Sequence, residues 1–215
     1  MKPISNTAFY CCGARMHDAE REHPVCGDMY AKVFMNESGS RIYEAFKDEV
    51  NCSASMVARH RIIDDFLRQA LSTTSDLCVI TIGAGFDSRP YRFDGGTWVE
   101  LDEPQMIAYK NERLPISVCT NQLHRVPIDF SSDSLEEKIS SFSKPGPVVF
   151  VIEGVFIYLD ENEIKKLLPA LHAMFPKHKL ICDLLTRRLI ERYGRTLTEN
   201  LKELVLLSRL SIIPK

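Results

Sequence analysis

Residues 79–93 read VITIGAGFDSRPYRF and join a short apolar run to a glycine turn. The β-branched run at 77–82 predicts a strand that is covered on both faces, as strands of parallel sheets are. Gly83 and Gly85 follow it directly. Glycines in this position either permit a sharp turn through positive φ or let the backbone approach a ligand closely. The stretch alone leaves both interpretations open.

From residue 77 onward, strand patterns alternate with helix patterns. Further strands are expected at 97–101, 124–128, 147–153 and 178–185, and helices at 102–114, 131–142, 160–175 and 186–207. This alternation predicts an α/β fold with a parallel sheet and right-handed crossovers. Ligands of such sheets bind outside the carboxyl ends of the strands. The glycine turn lies at such an end, which favours a ligand loop.

Local signals refine two of the helices. Pro104 suits the first turn of the helix after the second strand. Asp160 with Glu163 three residues later predicts a capping box at the start of the helix at 160–175. Pro169 falls inside that helix, where it is expected to kink or shorten it.

The chain before the first strand has a different pattern. Residues 1–75 are expected to be helical, and apolar residues recur at helical spacing most clearly in 51–71. We therefore expect one domain over 1–215, with a helical cap at 1–75 and an α/β core at 76–215.

Composition narrows the function classes. The 215 residues are 45% hydrophobic and 26% charged, with a net charge of -2, so neither a nucleic-acid footprint nor a basic membrane-binding face is expected. No apolar run is long enough to predict a membrane span. The seven cysteines form no CxxC pair, which is typical of reduced thiols in a cytoplasmic protein. The histidines lack metal-ligand spacing, and no metal site is expected.

An acid at the end of the second strand indicates what kind of ligand the turn would hold. Asp102 stands 17 residues after Gly85, where a carboxylate can accept hydrogen bonds from ribose hydroxyls. The third glycine of a dinucleotide fingerprint is replaced by Ser88, and the lysine of a P-loop is absent. These residues predict a nucleoside-containing ligand that is not held through phosphates.

Several segments resemble one known family. IGAGFDSRPYRF at 82–93, VELDEPQMIAYKNERL at 99–114, FVIEGVFIYL at 150–159, VARHRIIDDFL at 57–67 and RMHDAEREHPVCGDMYAKVFM at 15–35 are similar to the leucine carboxyl methyltransferase family. This family is a branch of the class I S-adenosylmethionine-dependent methyltransferases. The resemblance implies a Rossmann-like sheet in the order 3-2-1-4-5, S-adenosyl-L-methionine as cofactor, and methyl transfer to an oxygen. The expected acceptor is a carboxylate of a protein C-terminus or of a small acid.

The resemblance also assigns site residues. Arg59 matches the arginine that pairs with the carboxylate of the cofactor's methionine part, and Glu153 matches a glutamate near the same part. Gly83 and Gly85 match its backbone contacts, and Asp102 matches the ribose acid. The remaining matches are Asp129 and Phe130 beside adenine, and Tyr158 as the cleft tyrosine on the substrate side.

Each assignment competes with an ordinary structural role. Arg59 could be a solvated helix arginine, as Arg61 and Arg68 are expected to be, and Asp102 could be a helix cap. Glu153 could pair with a neighbouring lysine. Asp129 and Phe130 could form a surface turn, and Tyr158 could be a core aromatic. Asp87, Arg89 and Arg92 either brace the loop or hold an acidic substrate, and His60 is expected to be a satisfied or solvated side chain rather than a base.

The resemblance implies more chain after the fifth strand than the sequence contains. Members of the family usually continue with a lid segment and two further strands. We therefore expect an unpaired edge on the fifth strand, which either the helix at 186–207 covers or a homodimer contact pairs. A second hypothesis follows, in which the chain is a truncated, catalytically weak or inactive cofactor-binding homologue that serves as an interaction or sensing module.

Overall fold

The computed structural model describes residues 5–142, 146–184 and 186. These residues contain a parallel sheet of five strands in the order β3-β2-β1-β4-β5. The strands are β1 Cys78–Ile82, β2 Thr97–Asp102, β3 Gln122–Pro127, β4 Val148–Ile152 and β5 Lys179–Cys182. The predicted fold class and strand order are confirmed, although β5 is shorter than expected.

The helices surround this sheet and precede it. They are α1 Ser5–Ala19, α2 Ala31–Phe34, α3 Glu37–Phe46, α4 Val50–Thr73, α5 Arg89–Arg92, α6 Pro104–Arg113, α7 Leu135–Ile139 and α8 Glu161–Met174. Short 3₁₀ turns occupy Ile116–Val118, Ser140–Phe142 and Phe156–Tyr158. Within residues 5–77, which the structure describes, four helices therefore precede β1, as the helical pattern of 1–75 predicted. Apart from residue 186, the helix expected at 186–207 and the rest of the C-terminal segment lie outside the described residues.

The central strands are apolar because helices cover both of their faces. Ile80 and Phe150 point to one side, where partly buried residues of α8 complete the core. Val79 and Val149 point to the other side, toward Ile63 and Leu67 of α4. The strand order reverses between β1 and β4, so the carboxyl ends of these two strands form the switch point at which such sheets bind ligands.

Helix α8 begins and ends close to where its sequence predicts. The Asp160 side chain accepts from the Glu163 backbone, and the Glu163 side chain accepts from the Asp160 backbone, which completes the capping box. The helix then continues past Pro169 to Met174, so of the two effects expected of the proline, a kink or a shortening, the shortening does not occur. Leu171, which is 1% exposed, packs against the core after the proline, and this contact favours continuation of the helix.

The N-terminal helices are fixed against the carboxyl edge of the sheet. Phe9 of α1 and Phe34 of α2 both lie against Phe86, with ring centroids 4.8 and 5.2 Å away. The Asp18 carboxylate accepts from the backbone N–H groups of residues 25, 26 and 27, which orders the turn before α2. Helix α1 consequently lies over the glycine turn, and its Ala8 Cβ is 3.8 Å from where a Cβ on Gly85 would be.

A buried group of ion pairs joins β2, β3 and α6 away from the switch point. Glu100 of β2 contacts Lys110 Nζ at 2.8 Å and Arg125 Nε at 2.9 Å, and all three side chains are at most 1% exposed. Arg125 is also held by Asn111, the Leu114 carbonyl and the Tyr91 hydroxyl. Glu100 therefore pairs with both cations, and the group has one positive charge in excess inside the sheet layer.

Within the described part of the chain, no helix is long and apolar enough to cross a bilayer. The same residues contain no cluster of histidine, cysteine and acidic side chains that could hold a metal ion.

Candidate functional site

The glycine turn after β1 requires glycine for two separate reasons. Gly83 and Gly85 have φ values of +70° and +47°, a region that residues with a Cβ rarely adopt. In addition, a Cβ on Gly83 would lie 2.4 Å from Val155 Cγ2, so the turn passes directly against the loop after β4. The Gly83 and Ala84 N–H groups both donate to the Leu101 carbonyl. The turn thus packs against the loop after β4 on one side and is bonded to the end of β2 on the other.

Asp102 at the end of β2 is joined to this turn by its carboxylate. Oδ2 accepts from the Gly85 N–H at 2.6 Å, and Oδ1 accepts from the Glu103 N–H at 2.7 Å. Burial raises the pKa of this carboxyl group, and the two N–H donors oppose that effect. Glu103, not Asp102, is the N-cap residue of α6, so Asp102 does not serve as the helix cap.

Arg59 and Glu153 meet at the end of β4. Arg59 Nε donates to Glu153 Oε1 at 3.1 Å, and Arg59 Nη1 donates to Asp183 Oδ2 at 2.9 Å. Asp183 also accepts from the Gly154 N–H at 2.6 Å, which joins the end of β5 to the loop after β4. The partners of Glu153 are therefore arginines rather than a neighbouring lysine.

The exposure of the helix α4 arginines separates Arg59 from its neighbours. The Arg59 side chain is 27% exposed, whereas those of Arg61 and Arg68 are each 47% exposed and pair with Asp65 on the helix surface. Arg59 is thus a partly buried cation at the edge of the sheet, and the two others are the solvated arginines that the sequence predicted.

Arg89 lies behind Glu153, in the interior. Its Nε donates to Asp64 Oδ1 at 2.6 Å, Nη1 to Asp87 Oδ2 at 2.9 Å and Nη2 to Glu153 Oε2 at 2.9 Å. The side chain is 1% exposed. Burial alone would raise the pKa of Asp87, but the Arg89 guanidinium outweighs it and lowers that pKa to about 2. These contacts favour the bracing role for Arg89 over a role in holding an acidic substrate.

Arg92 and Arg15 extend this arrangement toward the N-terminal segment. Arg92 Nη1 donates to Asp64 Oδ2 at 2.8 Å, and Arg15 Nε donates to Asp28 Oδ2 at 3.0 Å. Ser88 Oγ donates to Asp28 Oδ1 at 2.6 Å. We call the whole group the buried ion cluster; it consists of Arg15, Asp28, Arg59, His60, Asp64, Asp87, Ser88, Arg89, Arg92, Glu153 and Asp183.

Tyr158 lies in the 3₁₀ turn after β4, on the side of the turn that faces α1. Its hydroxyl donates to Thr7 Oγ1 at 3.0 Å. Burial raises the pKa of this phenol to about 12, so the group stays protonated at neutral pH.

Asp129 and Phe130 follow β3 at the same edge of the sheet, where the Ile128 N–H donates to the Asp102 carbonyl. Asp129 Oδ1 accepts from the backbone and the hydroxyl of Ser131, and the Phe130 side chain is 44% exposed. Asp129 and Phe130 thus have the features of a surface turn. This turn lies at the same sheet edge as the other site residues. Their predicted contact with adenine stays a prediction.

A family model described as leucine carboxyl methyltransferase matches residues 8–172. The chain belongs to this family. The match includes most of α1, the glycine turn, Asp102 and the loop after β4, so it covers most of the residues that the site brings together.

Individual relatives agree with the family match. A protein of Mycolicibacterium smegmatis, named "Putative S-adenosyl-L-methionine-dependent methyltransferase", is 28% identical over 191 residues, which are 80% of this chain and 63% of the relative. A protein of the same name from Mycobacterium tuberculosis is 27% identical over 192 residues, which are 80% of this chain and 62% of the relative. The chain therefore spans less than two thirds of the length of these relatives.

Sequence reasoning missed several residues that belong to the buried ion cluster or border it. Asp183 lies near the carboxyl end of the predicted fifth strand. Because parallel strands end at the same edge of a sheet, this position could have placed Asp183 beside Glu153. Gly154, with φ +68°, has the Arg59 guanidinium 3.3 Å from where its Cβ would be. Arg15 pairs with Asp28 only 13 residues later, across the turn between α1 and α2, and residue spacing does not predict this contact.

His60 is satisfied, as expected, but in an unusual setting. It is 1% exposed. Its Nδ1 lies 2.7 Å from Arg89 Nη2 and its Nε2 lies 2.9 Å from Arg92 Nη2. Two carboxylates also face the ring, Glu153 at 3.4 Å and Asp64 at 3.8 Å. Burial and then the Arg89 charge lower the pKa of His60, so the neutral ring is the form the cluster favours.

The lowered pKa of His60 predicts a specific loss of stability in mild acid. Below the unfolded-state pKa of about 6.5, the unfolded chain binds a proton at His60 and the folded chain does not. Stability is then lost as pH falls, by at most about 1.4 kcal/mol per pH unit. His60→Gln removes this loss, so the destabilisation that the substitution causes should be smaller at pH 5.5 than at pH 7.5. Urea unfolding of both proteins at the two pH values measures it.

His17→Gln is the matched control, because the His17 side chain is 45% exposed on α1. It should destabilise the protein less than His60→Gln does at pH 7.5, because it removes no buried contacts within the ion cluster. An effect of His60→Gln that does not change with pH would show that the buried ring does not resist protonation.

Proposed function

We propose that the protein is an S-adenosyl-L-methionine-dependent O-methyltransferase that acts on a carboxylate of a protein C-terminus or of a small acid. The observation that carries the proposal is the meeting of three features at one sheet edge. These are a glycine turn without a phosphate-binding signature, the Asp102 carboxylate bonded to that turn, and the Arg59–Glu153 pair beside it. The family membership and the printed names of the relatives support methyl transfer.

The residues fit the cofactor group by group. Each carboxylate oxygen of Asp102 accepts one backbone N–H and has a second lone pair with which it can accept from a ribose hydroxyl. The methionine part carries a carboxylate and an ammonium group, which complement Arg59 and Glu153. Asp129 can accept from the exocyclic amine of adenine, and the exposed Phe130 ring can stack on the base.

Charge balance favours the same ligand. Leaving aside the exposed Arg68, the buried ion cluster contains four arginines and five carboxylates in the described residues, with His60 neutral. It thus has one negative charge in excess, and Asp102 adds another nearby. A sulfonium cofactor has a net charge of about +1 and suits this environment, whereas the pyrophosphate of a dinucleotide would be repelled.

Bound S-adenosyl-L-methionine would supply an electrophilic methyl group on its sulfonium. A carboxylate acceptor is already nucleophilic, so no base is needed, and the chain contributes alignment and exclusion of water. Tyr158 is the candidate catalytic residue. Its phenol, with a pKa of about 12, can orient the acceptor by donating its single hydrogen bond to the acceptor in place of Thr7, but it cannot act as a base near neutral pH.

Three further predictions concern the state and setting of the protein. An inactive interaction or sensing module is not favoured, since the family and the relatives are named as methyltransferases. A homodimer contact at β5 stays a prediction, and in the described residues β5 pairs with β4. A cytoplasmic location stays a prediction as well, and the free state of the seven cysteines is compatible with it.

The acceptor class can be tested directly. Purified monodisperse protein, incubated with S-adenosyl-L-methionine, should release S-adenosylhomocysteine when peptides with free C-termini or small carboxylic acids are added. The same compounds with amidated carboxyl groups are the controls and should release none, because the amide nitrogen is a poor nucleophile. Equal release with acids and amides, or release only with hydroxyl or amine acceptors, would contradict a carboxylate acceptor.

Substitution of the ligand-facing residues should weaken cofactor binding. Arg59→Ala and Asp102→Ala should each weaken S-adenosylhomocysteine binding by roughly 1.5–3 kcal/mol, the scale for losing hydrogen bonds to a charged group. Titration calorimetry measures the change, and circular dichroism should show native helix content in both variants.

Arg61→Ala is the control, because Arg61 lies two residues along the same helix but pairs with Asp65 on the surface. It should bind the ligand like the wild type. If the Arg59 and Asp102 variants also bind like the wild type, the pocket lies elsewhere.

A further inference from the structure

Glu153 is held from two sides by two different arginines. On the side of the partly exposed Arg59, its Oε1 accepts from Nε at 3.1 Å. On the interior side, its Oε2 accepts from Arg89 Nη2 at 2.9 Å, and Arg89 is 1% exposed. One oxygen therefore belongs to the ligand-facing edge, and the other belongs to the buried ion cluster.

The orientation of Arg89 is fixed without any ligand. Its Nε and Nη1 are bonded to Asp64 on α4 and to Asp87 in the glycine turn, and its Nη2 also lies 3.2 Å from the His60 carbonyl. A planar guanidinium with three of its nitrogens engaged cannot rotate to follow Glu153. Glu153 must instead adapt to Arg89.

We propose that Arg89 is a positioning residue that anchors Oε2 of Glu153, so that Oε1 stays directed at the ammonium group of the cofactor's methionine part. This inference rests on the proposed function. Arg89 itself does not touch the ligand, and it acts through Glu153.

The need for this anchor follows from the charge arrangement. In the structure, Arg59 is bonded to Glu153 and Asp183, and the cofactor's carboxylate would draw on the same guanidinium charge. If Arg59 were the sole cation at Glu153, its engagement by a ligand would leave the glutamate buried with less compensation, which is costly. Arg89 supplies a second cation: burial tends to raise the pKa of Glu153, and Arg89 is the strongest charge that lowers it well below its usual range. Glu153 thus stays ionised and in place when Arg59 turns to the ligand.

A pair of ligands separates this role from a general contribution to the pocket. S-Adenosylhomocysteine contains the aminoacyl part, whereas 5′-methylthioadenosine shares the adenosine and the thioether and lacks that part. Arg89→Lys keeps the charge but loses the fork of donors. We expect it to weaken S-adenosylhomocysteine binding by about ten-fold, the scale of one charge-assisted hydrogen bond, and to leave 5′-methylthioadenosine binding unchanged in calorimetry.

Arg125→Lys is the matched control, because Arg125 is equally buried but its partners are Glu100, Asn111, Leu114 and Tyr91. It should leave the ratio of the two affinities at the wild-type value, even if it lowers the melting temperature. Glu153→Gln provides the second control. In that background Arg89→Lys should no longer change the ratio, because the anchored charge is already absent.

The outcomes separate the positioning role from the proposed function. Equal weakening of both ligands, no weakening of either, or an undiminished effect of Arg89→Lys in the Glu153→Gln background would each overturn the positioning role while leaving the proposed function intact. A wild-type protein that binds neither ligand would instead overturn the proposed function, and the positioning role with it. If Arg89→Lys does not fold, Asp87→Asn is the alternative, because it loosens the Nη1 contact of Arg89 without touching Glu153. It should weaken S-adenosylhomocysteine binding by less than ten-fold and leave 5′-methylthioadenosine binding unchanged.

Discussion

The burial of the Arg89 guanidinium is the constraint on which the arrangement of this edge depends. A buried cation is costly unless it is paired and its N–H groups are bonded. Its carboxylate partners come from three separate elements: Asp64 from α4, Asp87 from the glycine turn and Glu153 from the end of β4. Arg89 can contact all three carboxylates at once in only one placement of the helical cap relative to the sheet. Removal of one partner would leave uncompensated charge in the interior, so the cluster specifies this geometry as well as contributing to its stability.

The same cluster determines which groups are left to meet a ligand. Arg92 and Arg15 are engaged by Asp64 and Asp28, and their side chains are at most 9% exposed. Arg59 is the cluster arginine that is partly exposed at the sheet edge, beside Glu153. Asp102 stands apart and is bonded to the glycine turn. Most of the arginines are thus paired in the interior, and Arg59 and Glu153 present charge at the sheet edge. This is why a site rich in arginine suits a ligand with both an acidic and a basic group.

Much of this edge could be predicted from the sequence, because strand ends follow from local pattern. The apolar runs defined the strands, and the alternation with helices placed Gly83, Asp102 and Glu153 at one edge before any coordinates. Their partners could not be predicted in the same way. Whether Glu153 meets a lysine or two arginines depends on how α4 crosses the sheet, and that is set by tertiary packing. Likewise, Pro169 removes a backbone donor from α8, yet the helix continues to Met174, since its later residues pack on the core.

This edge should hold a sulfonium nucleoside and not a phosphate-bearing dinucleotide. The decisive measurement is titration calorimetry of one monodisperse sample with S-adenosyl-L-methionine and with NAD. We expect saturable one-to-one binding of S-adenosyl-L-methionine and no measurable heat with NAD, because the glycine turn lacks a phosphate-binding signature. Tight binding of NAD with no response to S-adenosyl-L-methionine would contradict this assignment of the site.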